Sequence, residues 1–314
     1  MTTETYGSES LREAFGAALV EAGKVYGDLH VLDAGTKNST MSELFQKVYP
    51  DRFHTPGINE PGMVGLATGM AMAGKRVVAC DMSVFLHHAY DHIRTAARQG
   101  AGVHLVIAAS HTGIAVGPDG GSAHDITDLT RMRLVPEFTV VAPWDGNQVR
   151  VAVQVILAKP GYYYLRLNRP KVPIFLKDPA PFEIGRAYRL REGSRVTIIA
   201  VGDKVFNALE AADQLGERFA DVIGVATLEP LDESVIVESA ARTSRVVTVE
   251  DHMFIGGLYE AVAGLLAAKR PTPMRRVSLD RVFTTSGEPD ELALIYKLDT
   301  ASLVNVCREF VGSS

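Results

Sequence analysis

The feature that most restricts this chain is the alternation of short β-branched runs with helix-patterned segments. HVLDAG, RVVACD, VHLVIAAS, FTVVAP and YYYLRL recur through the first part, and RVTIIAVG, DVIGVAT, RVVTVED and RRVSL through the second. The runs are continuously apolar rather than alternating, so each strand needs cover on both faces, which a parallel sheet flanked by helices provides. The expected architecture is α/β, formed twice, with mostly parallel sheets. Between Arg169 and Gly185 the text reads RPKVPIFLKDPAPFEIG, whose four prolines block helix and central strand alike. The chain therefore divides into a first domain over 1–172, a surface linker over 173–188 and a smaller domain over 189–314. With 314 residues, 46% of them hydrophobic, two ordinary cores can be filled.

A formal charge of -5 with scattered Lys and Arg argues against nucleic acid or an anionic membrane as partner. The longest uncharged apolar stretch near Glu60, Met63 to Gly74, is shorter than the roughly 20 residues that span a bilayer. The opening MTTETYGSES has no basic, apolar export pattern, so a cytoplasmic location is expected. Cys80 and Cys307 stand apart, without CxxC spacing, and read as small core residues.

Against this bland background one acid stands out. In GINEPGMVGLATGMAMAGKRV, Glu60 sits between a turn and a long apolar segment. It is either a helix-start device, favoured by the macrodipole, or an acid whose proton affinity is raised by dry surroundings. A second candidate is SHTGIAVGPDGGSAHD, residues 110–125, which follows an apolar strand. Loops at the carboxyl ends of strands are where open α/β sheets bind ligands. Gly113, Gly117, Gly120 and Gly121 permit close backbone approach, and His111, Asp119 and His124 supply polar groups. A third is Arg169, just beyond YYYLRL and able to clamp a phosphate or carboxylate. In FLHHAYDHIRTAAR, a helix expected over 85–98, Phe85, His88 and His92 share a face whose spacing alone favours a partly exposed edge with polar ends. VEDHMFIGGLYEAVAGLL, at 249–266, has a Gly-Gly that could open a helix with free N–H groups, with packing and functional readings in balance. HExxH, GxSxG, Walker and Cys/His metal patterns are absent from the sequence.

Taken together, YPDRFHTPGINEPGMVGLATGMAMAGKRVVACDMSVFLHHAYDHIR, SHTGIAVGPDGG, PEFTVVAPWDGNQV, YYYLRLNRPKVP and TVEDHMFIGGL resemble, in order and over almost the whole chain, the C-terminal half of transketolases. The resemblance implies a pyrimidine-binding domain followed by a smaller, Rossmann-like transketolase C-terminal domain. It implies that Glu60 hydrogen-bonds N1′ of the aminopyrimidine of thiamine diphosphate, favouring the tautomer that deprotonates the thiazolium carbon, so that a two-carbon ketol unit passes from a ketose to an aldose. Phe85 then packs on the cofactor ring, with Met82 and His88 where relatives often carry aromatics. His111 contacts a substrate hydroxyl near the reacting carbon, Asp119 a sugar hydroxyl, and Arg169, joined by Arg12, the phosphate of a sugar phosphate.

Two departures from the family pattern matter. Ala123 stands where many members have a donor-contacting histidine, and His124 is displaced by one position. The family's GDG…Asn site for diphosphate and Mg2+ (or Ca2+) does not occur in the 314 residues. The resemblance therefore implies an N-terminal partner subunit that binds the metal and diphosphate, in an α2β2 heterotetramer. Rival expectations are a beta-type subunit of a 2-oxo acid dehydrogenase, a relative of deoxyxylulose-phosphate synthase, and a non-catalytic regulatory subunit.

Overall fold

Each of the nine apolar runs becomes a strand in the computed structural model, which describes residues 3–100, 102–177 and 180–312. In the first part these are β1 (Ser8–Ser10), β2 (Leu29–Asp33), β3 (Phe53–His54), β4 (Arg76–Met82), β5 (His104–Ser110), β6 (Phe138–Val141), β7 (Gly161–Arg166) and β8 (Lys171–Pro173). The second part contributes β9 (Ala187–Arg191), β10 (Val196–Val201), β11 (Ala220–Val225), β12 (Thr227–Glu229), β13 (Val246–Met253) and β14 (Met274–Leu279). Every residue of β5 and of β10 is buried, as strands sandwiched between helix layers must be.

The larger sheet runs β12-β6-β7-β5-β4-β2-β3 and the smaller one β14-β13-β10-β11-β9. All pairs are parallel except at one edge of each: β12 lies antiparallel on β6, and β9 antiparallel on β11. β12 comes from the second half of the chain yet completes the sheet of the first. The two halves are thus joined through backbone hydrogen bonds as well as side-chain packing.

Local chemistry fixes the helix starts. Ser10 and Glu13 form a reciprocal capping box at helix Leu11–Val25. Asn59 accepts from Gly62 N at 2.9 Å at the start of helix Glu60–Met72, with Pro61 in the first turn where no N–H is needed. Asp145 does the same for Gln148 N at 2.9 Å in helix Gly146–Ala158.

Two expectations need correction. The helix over 85–98 is not continuous: a 3-10 turn Phe85–His87 is followed by an α-helix Tyr90–Ala96 and a further 3-10 turn Ala97–Gln99. Leu86, Ala89 and Ile93 all need burial, and the break at Ala89 lets the two short pieces present them inward independently. The proline-rich segment also does not simply lie over the surface. Phe175 and Ala180 are buried, Phe175 stacks on Trp144 with ring centroids 6.5 Å apart, and Asp145 Oδ2 accepts the Phe175 and Leu176 amides at 3.2 and 3.1 Å. Prolines removed its helical options, but its apolar side chains wedge into the seam between the domains.

Candidate functional site

The carboxyl edge of the larger sheet gathers nearly every residue singled out above. Parallel register places Met82 beside Ser110, so Phe85 and His111, which follow them, emerge from neighbouring strand ends. Glu60 opens the helix reached from the end of β3, and Arg169 lies just past β7. The two-stranded ribbon sets Ser10 opposite Lys171, which brings Arg12, in the first turn of its helix, next to Arg169. This convergence is what a parallel α/β sheet offers a ligand.

Glu60 is only 8% exposed, yet its carboxylate accepts no hydrogen bond from any described residue. Among the described residues its ion-pair neighbour is His88, with Nδ1 3.6 Å from Oε2. Beside it Phe85 is more than a third exposed, Met82 is half-buried, and Ile58 protrudes from the preceding turn at 88% exposure. An acid with unused acceptor capacity, flanked by bare apolar surface, is costly to maintain unless something covers it. His92 faces solvent and takes no part.

The second cluster is strongly electropositive. His111 is 3% exposed and holds a left-handed backbone, φ 58°. Its Nδ1 lies 2.9 Å from Ser110 Oγ. Burial first, then the charges of Arg12 and Arg169, push its pKa down to about 4, so the imidazole is neutral at physiological pH. Arg169 Nη1 donates to Val116 O at 2.7 Å and lies 3.4 Å from Asp119 Oδ1. Arg12 Nη1 donates to Ser39 O at 2.9 Å, and its pKa is lowered by burial and by Arg169. Two guanidiniums, a neutral imidazole and a carboxylate on one lip form a ready anion and hydroxyl binder.

His124 is placed differently. Its ring is buried between Thr284 Oγ1, 2.8 Å from Nδ1, and Gly117 O, 3.0 Å from Nε2, so both nitrogens are engaged by the protein. It walls a cleft of about 570 Å3 between the domains, shared with His87, His88 and the fully exposed Phe283.

Sequence reading missed several groups. Asp81, at the end of β4, is fully buried: Oδ1 accepts Thr36 Oγ1 at 2.9 Å and Met82 N at 2.7 Å, while Oδ2 has no partner. Burial pushes its pKa up to about 7, with Asp33 and Glu60 adding to the rise. Asp33 in turn accepts from Thr36, Thr40 and Ser42 and fixes the loop after β2. Behind the cleft Asp125 takes Ser83 Oγ at 2.6 Å, His87 Nε2 at 3.2 Å and Arg131. Burial opposes its ionisation, but His87 and Arg131 hold its carboxyl well below the usual range. For Asp33 and Asp81 the signal was a polar letter ending an apolar run, and Asp125 closes the glycine-rich segment 110–125 with nothing local to set it apart.

The VEDH segment resolves as structure. Glu250 accepts Leu258 N at 2.7 Å and Tyr259 N at 2.9 Å, so the helix start after Gly-Gly is already occupied. A Cβ on Gly257 would meet Glu250 Oε2 at 2.1 Å, which explains the glycine. Among the described residues no group of three His, Cys, Asp or Glu is placed to hold a metal ion, and no helix is long and apolar enough to cross a membrane.

Comparison with known proteins agrees with this layout. The transketolase pyrimidine-binding domain family matches residues 8–174 and the transketolase C-terminal domain family residues 185–303. A putative transketolase C-terminal section from Methanocaldococcus jannaschii is 37% identical over 301 residues, 94% of each chain. Human transketolase is 34% identical over 306 residues, covering 96% of this chain and 49% of its own, so the chain spans about half the length of such relatives. Among solved structures, a split gene transketolase described as an inactive beta4 tetramer superposes with TM-score 0.87 at 36% identity, covering 98% of this chain and 99% of the other. The Campylobacter jejuni transketolase, at 21% identity and TM-score 0.82, covers 99% of this chain and 47% of its own and shares the fold.

Proposed function

This chain belongs to the transketolase family, and from that premise we propose that it is the C-terminal subunit of a split, thiamine-diphosphate-dependent transketolase. The observation that carries the reading is Glu60: recessed, without a hydrogen bond among the described residues, and flanked by the open ring of Phe85 and by Met82. These groups fit one edge and one face of an aminopyrimidine. Bound thiamine diphosphate would supply the carbon nucleophile and electron sink that ketol transfer requires. With that group bound, Glu60 would share a proton with ring atom N1′, Phe85 and Met82 would pack on the ring, and His88 would close the wall beside Glu60. His111, kept neutral, hydrogen-bonds a substrate hydroxyl near the reacting carbon. Asp119 binds a sugar hydroxyl, and Arg12 and Arg169 hold the phosphate of a ketose or aldose phosphate. His124 borders the donor side, where Ala123 leaves room, and acts on substrate through the shape of the loop.

The domain division proposed is a pyrimidine-binding domain over 1–172, a connector over 173–188 and a C-terminal domain over 189–314. The diphosphate and Mg2+ (or Ca2+) belong to an N-terminal partner subunit in a cytoplasmic α2β2 heterotetramer serving carbohydrate metabolism. The relatives carry transketolase names rather than those of 2-oxo acid dehydrogenase subunits or deoxyxylulose-phosphate synthases, which disfavours those rivals. That a similar split-gene chain is described as inactive when assembled only with itself fits a subunit whose chemistry waits for its partner.

The test is to recover the complex from its native cell by pulling on this chain. Co-purification of a second polypeptide, thiamine diphosphate and a divalent metal, together with ketol transfer from a ketose phosphate, is the expected result. A chain that emerges alone and fails to take up thiamine diphosphate when candidate partners are added would sink the reading.

A further inference from the structure

The sugar-facing loop of the first domain is held from behind by the second. Residues 111–116 leave β5 through a left-handed His111 and are pinned on one side within their own domain. There Thr112 Oγ1 donates to Leu167 O at 3.2 Å and Gly113 N to Asp125 O at 2.9 Å. On the other side the contact comes from β13. Asp251, 1% exposed, accepts Ile114 N with both oxygens, at 3.1 and 3.2 Å. The fit is tight, since a Cβ on Gly113, itself at φ 71°, would lie 2.0 Å from Asp251 Oδ2.

Asp251 is itself anchored across the domain seam. Arg166 Nη2, from the end of β7, donates to its backbone carbonyl at 2.8 Å while Arg166 Nε pairs with Asp128 at 2.8 Å. Two residues beyond Ile114, the Val116 carbonyl accepts Arg169, whose guanidinium also reaches Asp119. Contacts along the loop therefore lead from Asp251 to Ile114 and, two residues on, from Val116 to Arg169 and Asp119, while His111 is the loop's first residue.

We propose that Asp251 of the second domain is a positioning residue for sugar-phosphate binding, fixing the 111–119 loop so that His111, Asp119 and Arg169 converge. The second domain is then a working part of the substrate site although none of its side chains need touch substrate. This rests on the transketolase reading for the identity of the ligand, but not for the ordering of the loop. A buried carboxylate that takes one amide with two oxygens and faces glycine fixes backbone position within tenths of an ångström, and misplacement of that order is enough to weaken a multi-point binding site.

Two measurements test it. The first is amide hydrogen exchange on the full chain without partner. Asp251→Asn, which keeps one acceptor oxygen, should speed exchange at Ile114 and its neighbours about tenfold, and Asp251→Ala by more, with protection of β5 and β10 unchanged. Should Asp251→Ala fail to fold, Asp251→Asn decides. Unchanged exchange in the loop, or loosening spread evenly over both domains, overturns the inference. The second uses the complex with its partner: Asp251→Asn should raise KM for a ketose phosphate about tenfold, leave thiamine diphosphate affinity as it was, and combine less than additively with Arg169→Gln. Additive effects on KM would also overturn it. Loop loosening without any ketol transfer by the unmodified complex would instead break the functional reading and leave the loop's anchor standing.

Discussion

Two glutamates stand at two helix starts, and their circumstances are opposite. Glu60 begins helix Glu60–Met72 in the first domain and accepts no hydrogen bond from the described residues, His88 Nδ1 standing off at 3.6 Å from Oε2. Glu250 reaches from β13 to the start of helix Leu258–Lys269 and commits one oxygen to each of two amides. Both are recessed and both exploit the positive end of a helix. What separates a site from a brace is unused valence: the brace has satisfied its hydrogen-bonding capacity inside the protein, while the site has kept it for something that arrives later.

The sharpest way to break that comparison is Glu60→Gln. Ketol transfer by the complex should fall by about 10²–10⁴-fold, the scale of a lost acid–base group, with the melting temperature of the chain hardly moved. Normal turnover would show that the carboxyl is not used. Next in size, Arg169→Gln should raise KM for a phosphorylated substrate by roughly 10–100-fold with kcat nearly kept, the pattern of lost uniform binding. An unphosphorylated analogue should not notice the change.

Glu250→Ala should do the reverse of Glu60→Gln. One buried and one partly buried amide lose their acceptor, which costs about 1–3 kcal/mol of stability, read as a lower denaturant midpoint. If stability is unaffected while turnover collapses, the assignment of brace and site must be exchanged.

The smallest effect concerns Asp81. Its folded pKa, about 7, lies above the ordinary 3.8, so between those pH values the folded chain holds a proton that the unfolded chain has shed. That contribution to stability is present at low pH and lost as pH climbs towards 7. Asp81→Asn should flatten this part of the stability profile, and an unchanged slope would show that Asp81 is ionised throughout.

These outcomes also mark how far the sequence could be read. Strands such as VHLVIAAS were legible because burial on both faces leaves a continuous apolar run. β12 was not, since three residues carry no period and their pairing with β6 depends on how the domains dock. Glu60 was visible as the one charge in an apolar stretch, and His111, Asp119 and Arg169 as polar letters at strand ends. Asp81 and Asp251 look the same in one dimension as any acid that closes a strand. Their roles come from Thr36, from Ile114 and from the absence of a partner on Asp81 Oδ2, all of which are tertiary facts. The 85–98 segment misled because its apolar spacing fits a helix equally well whether or not the backbone breaks at Ala89.

The strand that crosses from one half to the other has a consequence for anyone cutting the gene. β12 covers the outer edge of β6, and a fragment stopped near residue 185 would present that row of amides and carbonyls bare, beside the apolar face of Phe138. Open edges of this kind recruit further strands, so the first half produced alone should self-associate, whereas a version extended through Glu229 could keep its edge closed. Physically, the two halves share an ending, and melting should be a single event instead of two.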